Sequence, residues 1–136
     1  MAHNKTFVRV RYSETDKMGF VHHTHHLSWF EVGRTELLRE LGCTYRDLEG
    51  QGIFMPVVEV GCRYRSPARY DDLLEIETEL KEITYIRIRF EYQVKRVGDG
   101  KQIATGFTMH VCTDEMGTPQ KLPANINEML LKNTER

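Results

Sequence analysis

The sequence has no long apolar run, no paired-cysteine motif and no surplus of charge. No stretch of the 136 residues approaches the roughly 18 to 20 apolar positions that span a bilayer, and Met1 to Val10 lacks the apolar core of a signal peptide. A membrane role is therefore not expected. The three cysteines, Cys43, Cys62 and Cys112, are odd in number, widely spaced and without Cys-x-x-Cys. That argues against a disulfide scaffold or a cysteine-based zinc module and for reduced thiols in the cytoplasm. Nineteen basic residues against 20 acidic ones leave a formal charge of −1, a balance unlike that of a protein built to neutralise many phosphates, so nucleic acid is not expected as a partner. Repeats and low-complexity segments are missing too.

What remains reads as one domain spanning residues 1–136, near the commonest size for a single core. Phe7 to Tyr12 alternates, with Val8, Val10 and Tyr12 on one face, and predicts a half-buried strand. Ser13 to His23, containing Gly19, predicts a loop. From Thr24 the apolar spacing changes to three and four: Leu27, Phe30, Leu37, Leu38 and Leu41 predict a helix of several turns, capped by Thr24 and stopped at Gly42. Cys43 to Gly52, short, polar and glycine-containing, predicts about one further helical turn. Period two then returns. Val58, Val60, Cys62 and Tyr64 predict one strand; Leu74, Ile76, Thr78 and Leu80 a second; Ile86, Ile88, Phe90, Tyr92 and Val94 a third. Gly98-Asp99-Gly100 is a hairpin turn, and Ile103, Thr105, Phe107, Met109 and Val111 form the apolar set of the last strand. Ala124 to Leu131 predicts a closing helix, and Lys132 to Arg136 a frayed tail. Each strand has one polar and one apolar side, and a sheet with one apolar face needs a cover. The long helix is the cover available, so the fold expected is α+β, a curled antiparallel sheet of about five strands wrapped around one helix.

The segment with chemical content is Tyr12 to His26. It leads from the first strand to the start of the long helix, where free N–H groups and the positive end of the helix dipole can hold a developing oxyanion. Asp16 lies a few residues upstream. A carboxylate facing such donors is the minimum equipment for attack on a carbonyl. Gly19 lets the loop backbone approach a substrate.

The run Thr15-Asp16-x-x-Gly19-x-Val21-x-His23, followed by Leu27-x-x-Phe30-Glu31-x-x-Arg34, resembles the acyl-CoA thioesterases of the 4-hydroxybenzoyl-CoA thioesterase type, which have the hotdog fold. Pro67-Ala68-Arg69-Tyr70-Asp71-Asp72-x-Leu74-x-Ile76 also resembles that family. The similarity covers roughly residues 5 to 125. It implies hydrolysis of an acyl-CoA thioester, with Asp16 as nucleophile or general base and the His23 backbone N–H polarising the carbonyl. It further implies a substrate channel shared between the subunits of a homodimer or homotetramer, without cofactor or metal. Gly19 and Val21 would line the substrate site, and Arg65, Arg69 and Arg87 are candidates for binding the nucleotide of CoA. The stretch Ile83-Thr84-Tyr85-Ile86 lacks the cationic cluster of some members, which keeps an acyl-carrier-protein thioester as an alternative partner.

Other readings of these residues stay open at this point. Asp16 could cap a turn. His22 and His26, four apart, could share a helix face, although no His-Glu-x-x-His is present. Glu31 or Glu36 could supply the carboxylate from the helix, or could pair with Arg34 and Arg39. Trp29, Tyr64 and Phe90 read as core or interface aromatics. The chain could also be an acyl-thioester binding protein without turnover, or a dehydratase using a site histidine as base.

Overall fold

The computed structural model describes residues 2–132; the tail expectation from 133 to 136 lies outside the described residues. Five antiparallel strands form one sheet in the order β1-β3-β4-β5-β2. They are β1 His3–Arg9, β2 Val57–Tyr64, β3 Leu73–Ile83, β4 Arg87–Arg96 and β5 Gln102–Val111. The long helix α1 spans His25–Glu40, and two short helices follow, α2 Tyr45–Gly50 and α3 Ala124–Leu130. α1 packs against β1, β3, β4 and β5, so the sheet curls around the helix as the periodicity predicts.

The side of α1 that faces the sheet carries His26, Trp29, Phe30, Gly33, Leu37 and Leu38, all buried. Positions 26, 30, 33 and 37 recur at three- and four-residue steps, the spacing of one helix face. Leu27 is not on it and is exposed, which corrects the expected stripe at its first member. Gly33 is where helix and sheet come closest: a Cβ there would lie 2.2 Å from Thr78 Oγ1. α1 ends as expected, at Gly42 with φ +100°, where the Gly42 and Cys43 amides bond back to Arg39 O and Leu38 O.

The first strand begins and ends earlier than its alternation predicts. β1 stops at Arg9, and Tyr12 opens a single 3₁₀ turn, Tyr12–Glu14, with its ring exposed rather than in the core. Val10 stays buried because its amide and carbonyl pair with Asp72 O and Asp71 N. In β3 and β4 the apolar sets face inward as expected, Leu74, Ile76, Thr78 and Leu80 opposite Ile88, Phe90, Tyr92 and Val94.

β5 keeps Ile103 of its expected set buried and reverses the rest. Thr105, Phe107, Met109 and Val111 lie only partly covered, while Ala104, Thr108 and His110 are buried. The reason is space. Phe30 of α1 stacks on Tyr92, with ring centroids 4.4 Å apart, and a Cβ on Gly106 would lie 2.5 Å from the Phe30 ring. Only small or hydrogen-bonded residues fit beneath the helix there, so the bulky set of β5 takes the outer face. β2 departs differently. Its valines alternate as a half-buried strand should, yet Val57, Val58 and Val60 are exposed, because β2 is an edge strand that meets α1 only near its last residue, Tyr64.

Candidate active site

The loop between β1 and α1 is a tight ladder of its own. Asp16 N donates to Phe20 O at 2.8 Å, Thr15 and Val21 form an antiparallel bridge, and His22 N donates to Glu14 O at 2.9 Å. The ladder is tied sideways to the segment after β2. Val21 N donates to Ala68 O at 2.9 Å, Phe20 bridges Arg69, and the Arg69 guanidinium lies 4.5 Å from the centre of the Phe20 ring. Gly19, with φ +84°, makes the turn at the tip.

Asp16 is exposed. Its Oδ1 accepts from Met18 N at 2.8 Å and from Phe20 N at 3.3 Å, so one oxygen does cap the turn. The second oxygen, Oδ2, takes no hydrogen bond among the described residues.

At the start of α1 the Thr24 amide reaches His22 Nδ1 at 3.4 Å and the Leu27 amide Thr24 O at 3.3 Å. Thr24 occupies the cap position but has helical dihedrals (φ −69°, ψ −26°) and makes no side-chain cap. Its hydroxyl instead meets His22 Nδ1 at 2.9 Å. The peptide joining His22 to His23 is held at its carbonyl end, where His22 O accepts from His25 N at 3.1 Å. In a trans peptide N–H and C=O point in opposite directions, so the His23 N–H points back out of the helix head. It donates to nothing among the described residues.

A cleft of about 290 Å³ opens beside this head, lined by Val21, His23, His26, Tyr64, Arg65, Ser66, Pro67 and Ala68. Tyr64, near the end of β2, donates from its hydroxyl to His23 O at 2.8 Å. His26 Nδ1 meets the same carbonyl at 3.1 Å. A carbonyl only accepts, so Nδ1 carries the proton and Nε2 the lone pair. Burial holds the His26 pKa below the ordinary 6.5, which keeps the ring neutral at pH 7. Glu14, buried at the base of the loop, accepts from Arg11 N at 2.7 Å and lies 3.9 Å from His25 Nδ1.

Of the residues singled out in the sequence, the cleft gathers Val21, His23 and Arg65. Arg69 sits next to it on the loop ladder. Asp16 and Gly19 belong to the same loop but do not line the cleft of one chain. Arg87 opens β4, at the end of the sheet opposite the start of β3, next to which Arg69 lies. Glu36 pairs with Arg39 at 3.4 Å, as its helical spacing suggests, whereas Arg34 turns to Tyr45 Oη at 3.1 Å. His22 precedes α1 and shares no helix face with His26. Glu14 and Tyr64 were given no part in the site by the sequence, and His26 entered only as a histidine that could share a helix face with His22. His26 had a readable signal, its place on the buried stripe of α1. Tyr64 had none, since its partner is a backbone carbonyl 41 positions away.

Residues 10–133 match the profile of the Thioesterase-like superfamily. A curated relative from Bacillus subtilis, the putative acyl-CoA thioesterase YneP, is 33% identical over 112 residues, covering 82% of this chain and 80% of that protein. Among solved structures, a hypothetical protein, TT1821, from Thermus thermophilus superposes with a TM-score of 0.88 at 37% identity, covering 94% of this chain and 95% of the other. The DHNA-CoA thioesterase of Staphylococcus aureus superposes with a TM-score of 0.90 at 29% identity, covering 95% and 89%.

Proposed function

The chain belongs to the Thioesterase-like superfamily and is a thioester hydrolase, and from that premise we propose that it cleaves acyl-CoA with the Asp16 carboxylate and the His23 N–H acting on one carbonyl. The observation that carries this reading is the pairing of leftovers on one short loop: a carboxylate oxygen and an amide that make no hydrogen bond among the described residues. Two ladder steps, roughly 7 Å at strand spacing, separate the Asp16–Phe20 pair from the Glu14–His22 pair. A thioester laid along the loop can reach both ends.

Two routes fit this equipment. Asp16 Oδ2 attacks the carbonyl carbon, the thiolate leaves, and water cleaves the mixed anhydride. Or Asp16 takes a proton from a water that attacks directly. In either route the negative oxygen of the tetrahedral intermediate sits at the His23 N–H, a donor of a kind typically worth about 3 to 4 kcal/mol. Val21, Pro67 and Ala68 offer apolar walls, and Arg65 a cation.

The site is open on the side of β2. Exposed Val57, Val58 and Val60 on an unpaired edge support a homodimer joined along that strand. A second copy there would close over Tyr64 and Arg65 and complete the channel. The three cysteines are free, which suits a reducing compartment such as the cytoplasm.

The test is free-thiol release from short, long and aromatic acyl-CoAs by wild type and Asp16→Asn. The reading expects release by wild type on at least one class and its collapse in the variant. An Asp16→Asn enzyme that keeps near-full turnover refutes it.

A further inference from the structure

The His23 carbonyl, at the head of α1, is held from two sides. It accepts the Tyr64 hydroxyl at 2.8 Å and meets His26 Nδ1 at 3.1 Å. A carbonyl oxygen has two lone pairs, so these two donors fill it. They arrive from different layers: Tyr64 from the edge strand, His26 from the first turn of the helix. The rings are packed as well, His26 and Tyr64 edge-to-face at 4.7 Å and His26 against Trp29 at 4.7 Å.

We propose that Tyr64 and His26 are positioning residues, a two-donor clamp that fixes the direction of the His23 N–H. The argument is one of peptide planes. The plane before the His23 Cα contains the open N–H and is held by the His22 O to His25 N bond. The plane after it contains the His23 carbonyl and is held by the clamp. With both planes fixed, neither backbone dihedral of His23 is free, and the N–H keeps its aim without a capping side chain. Thr24, the residue that would ordinarily tie down a helix start, makes no such bond. The clamp therefore secures the residue just before the helix, which a Thr24 cap, reaching forward to the amides of the first turn, would not hold. A displacement of about 1 Å at a reacting centre can cost roughly a hundredfold, so a group that touches no substrate still has a large effect on rate. Because Tyr64 stands on β2, the same bond ties the amide to the edge strand.

This inference rests on the hydrolase reading of the site, and its test separates the two. Tyr64→Phe keeps the ring and removes the hydroxyl. The clamp requires kcat to fall about tenfold, with KM within about twofold of wild type. His26→Leu should act alike, and His26→Asn, whose amide can still donate to the carbonyl, should recover most of the loss. Deuterium exchange supplies a readout independent of turnover. In Tyr64→Phe the amides of residues 24–26 should exchange several-fold faster while those of β3 and β4 stay unchanged. If Tyr64→Phe matches wild type in kcat and in exchange while Asp16→Asn is inactive, the clamp is wrong and the hydrolase reading stands. If Asp16→Asn keeps its rate, that reading falls, and unchanged exchange in Tyr64→Phe then overturns the clamp on its own.

Discussion

Two clusters of histidine and tyrosine flank the long helix, and they treat their hydrogen bonds in opposite ways. One, at the helix head, holds His23, His26 and Tyr64. The other is reached from Arg34, eight residues further on and roughly 12 Å along the axis. There Arg34 Nε donates to Tyr45 Oη at 3.1 Å and its guanidinium also lies against Tyr92. Tyr92 bonds Thr108, Thr108 Oγ1 meets His110 Nε2 at 2.8 Å, and His110 Nδ1 meets Met55 O at 2.9 Å. Since the Met55 carbonyl only accepts, the proton lies on Nδ1. The chain then has one direction, Tyr92 to Thr108 to His110 to Met55, with every donor used. Burial pushes the Tyr92 hydroxyl up to about 12 and the His110 imidazole down to about 4. The closed cluster holds α1, β4, β5 and the approach to β2 together. The head cluster leaves the His23 amide and His26 Nε2, and the loop before it Asp16 Oδ2, without a hydrogen bond among the described residues. Residue type does not separate the two clusters; what differs is how much of their hydrogen-bonding capacity is used.

The sharpest way to break that contrast is to exchange the two kinds of damage. Asp16→Asn should lower kcat by about a hundred- to ten-thousand-fold and leave the melting temperature where it is, because an amide oxygen can still accept from Met18 N and Phe20 N. Wild-type stability combined with lost thiol release is the expected pair of readings. A stability loss matching the activity loss would make Asp16 a structural cap.

The closed cluster should fail in acid. The His110 pKa lies at about 4 in the folded protein, below the ordinary 6.5. Its neutral form is the one that folds, so its stabilisation is complete above pH 6.5. It declines as the pH falls from there towards 4, and amounts to about 3 kcal/mol when fully lost. His26 is lowered as well and acts with the same sign. Urea midpoints at pH 7.5, 5.5 and 4 for wild type and the non-titrating His110→Gln isolate this contribution from that of the carboxylates. Curves that stay parallel would place His110 outside the acid response.

A smaller effect belongs to Tyr92→Phe. It removes one donor while the ring stays stacked on Phe30. Loss of about 1 to 2 kcal/mol is expected, with kcat per folded molecule unchanged. A fall in kcat without a fall in stability would join the closed cluster to the site and erase the distinction.

The same contrast explains what could be read before any coordinates. The helix, its glycine stop and the inward sets of β3 and β4 were legible, because hydrophobic period reports directly on burial. Asp16 and His23 are singled out by a motif whose residues lie close in sequence, and the fold places both on the stretch that leads into α1. β5 was misread because its inner face is chosen by what fits under Phe30, a contact between residues more than seventy positions apart. β2 was half legible: its valines do alternate, but they alternate for a surface that one chain does not bury. The closed cluster left no local trace, since Arg34, Tyr45, Tyr92 and His110 come from four separate elements or their borders.

The finest distinction lies within the helix head, between its two candidate acids. Glu31 sits next to the buried Phe30 yet on the exposed side of α1, and no hydrogen bond or ion pair reaches it among the described residues. Glu31→Gln should therefore leave kcat within about twofold and the melting temperature within about a degree, as surface substitutions away from special features do. The value of so small an effect is that it is asymmetric. If Glu31→Gln lost turnover while Asp16→Asn kept it, the acid would act from the helix across a subunit boundary, and the loop would merely hold the His23 amide in place. Retained turnover in Glu31→Gln beside collapse in Asp16→Asn confines the chemistry to the loop that leads into α1.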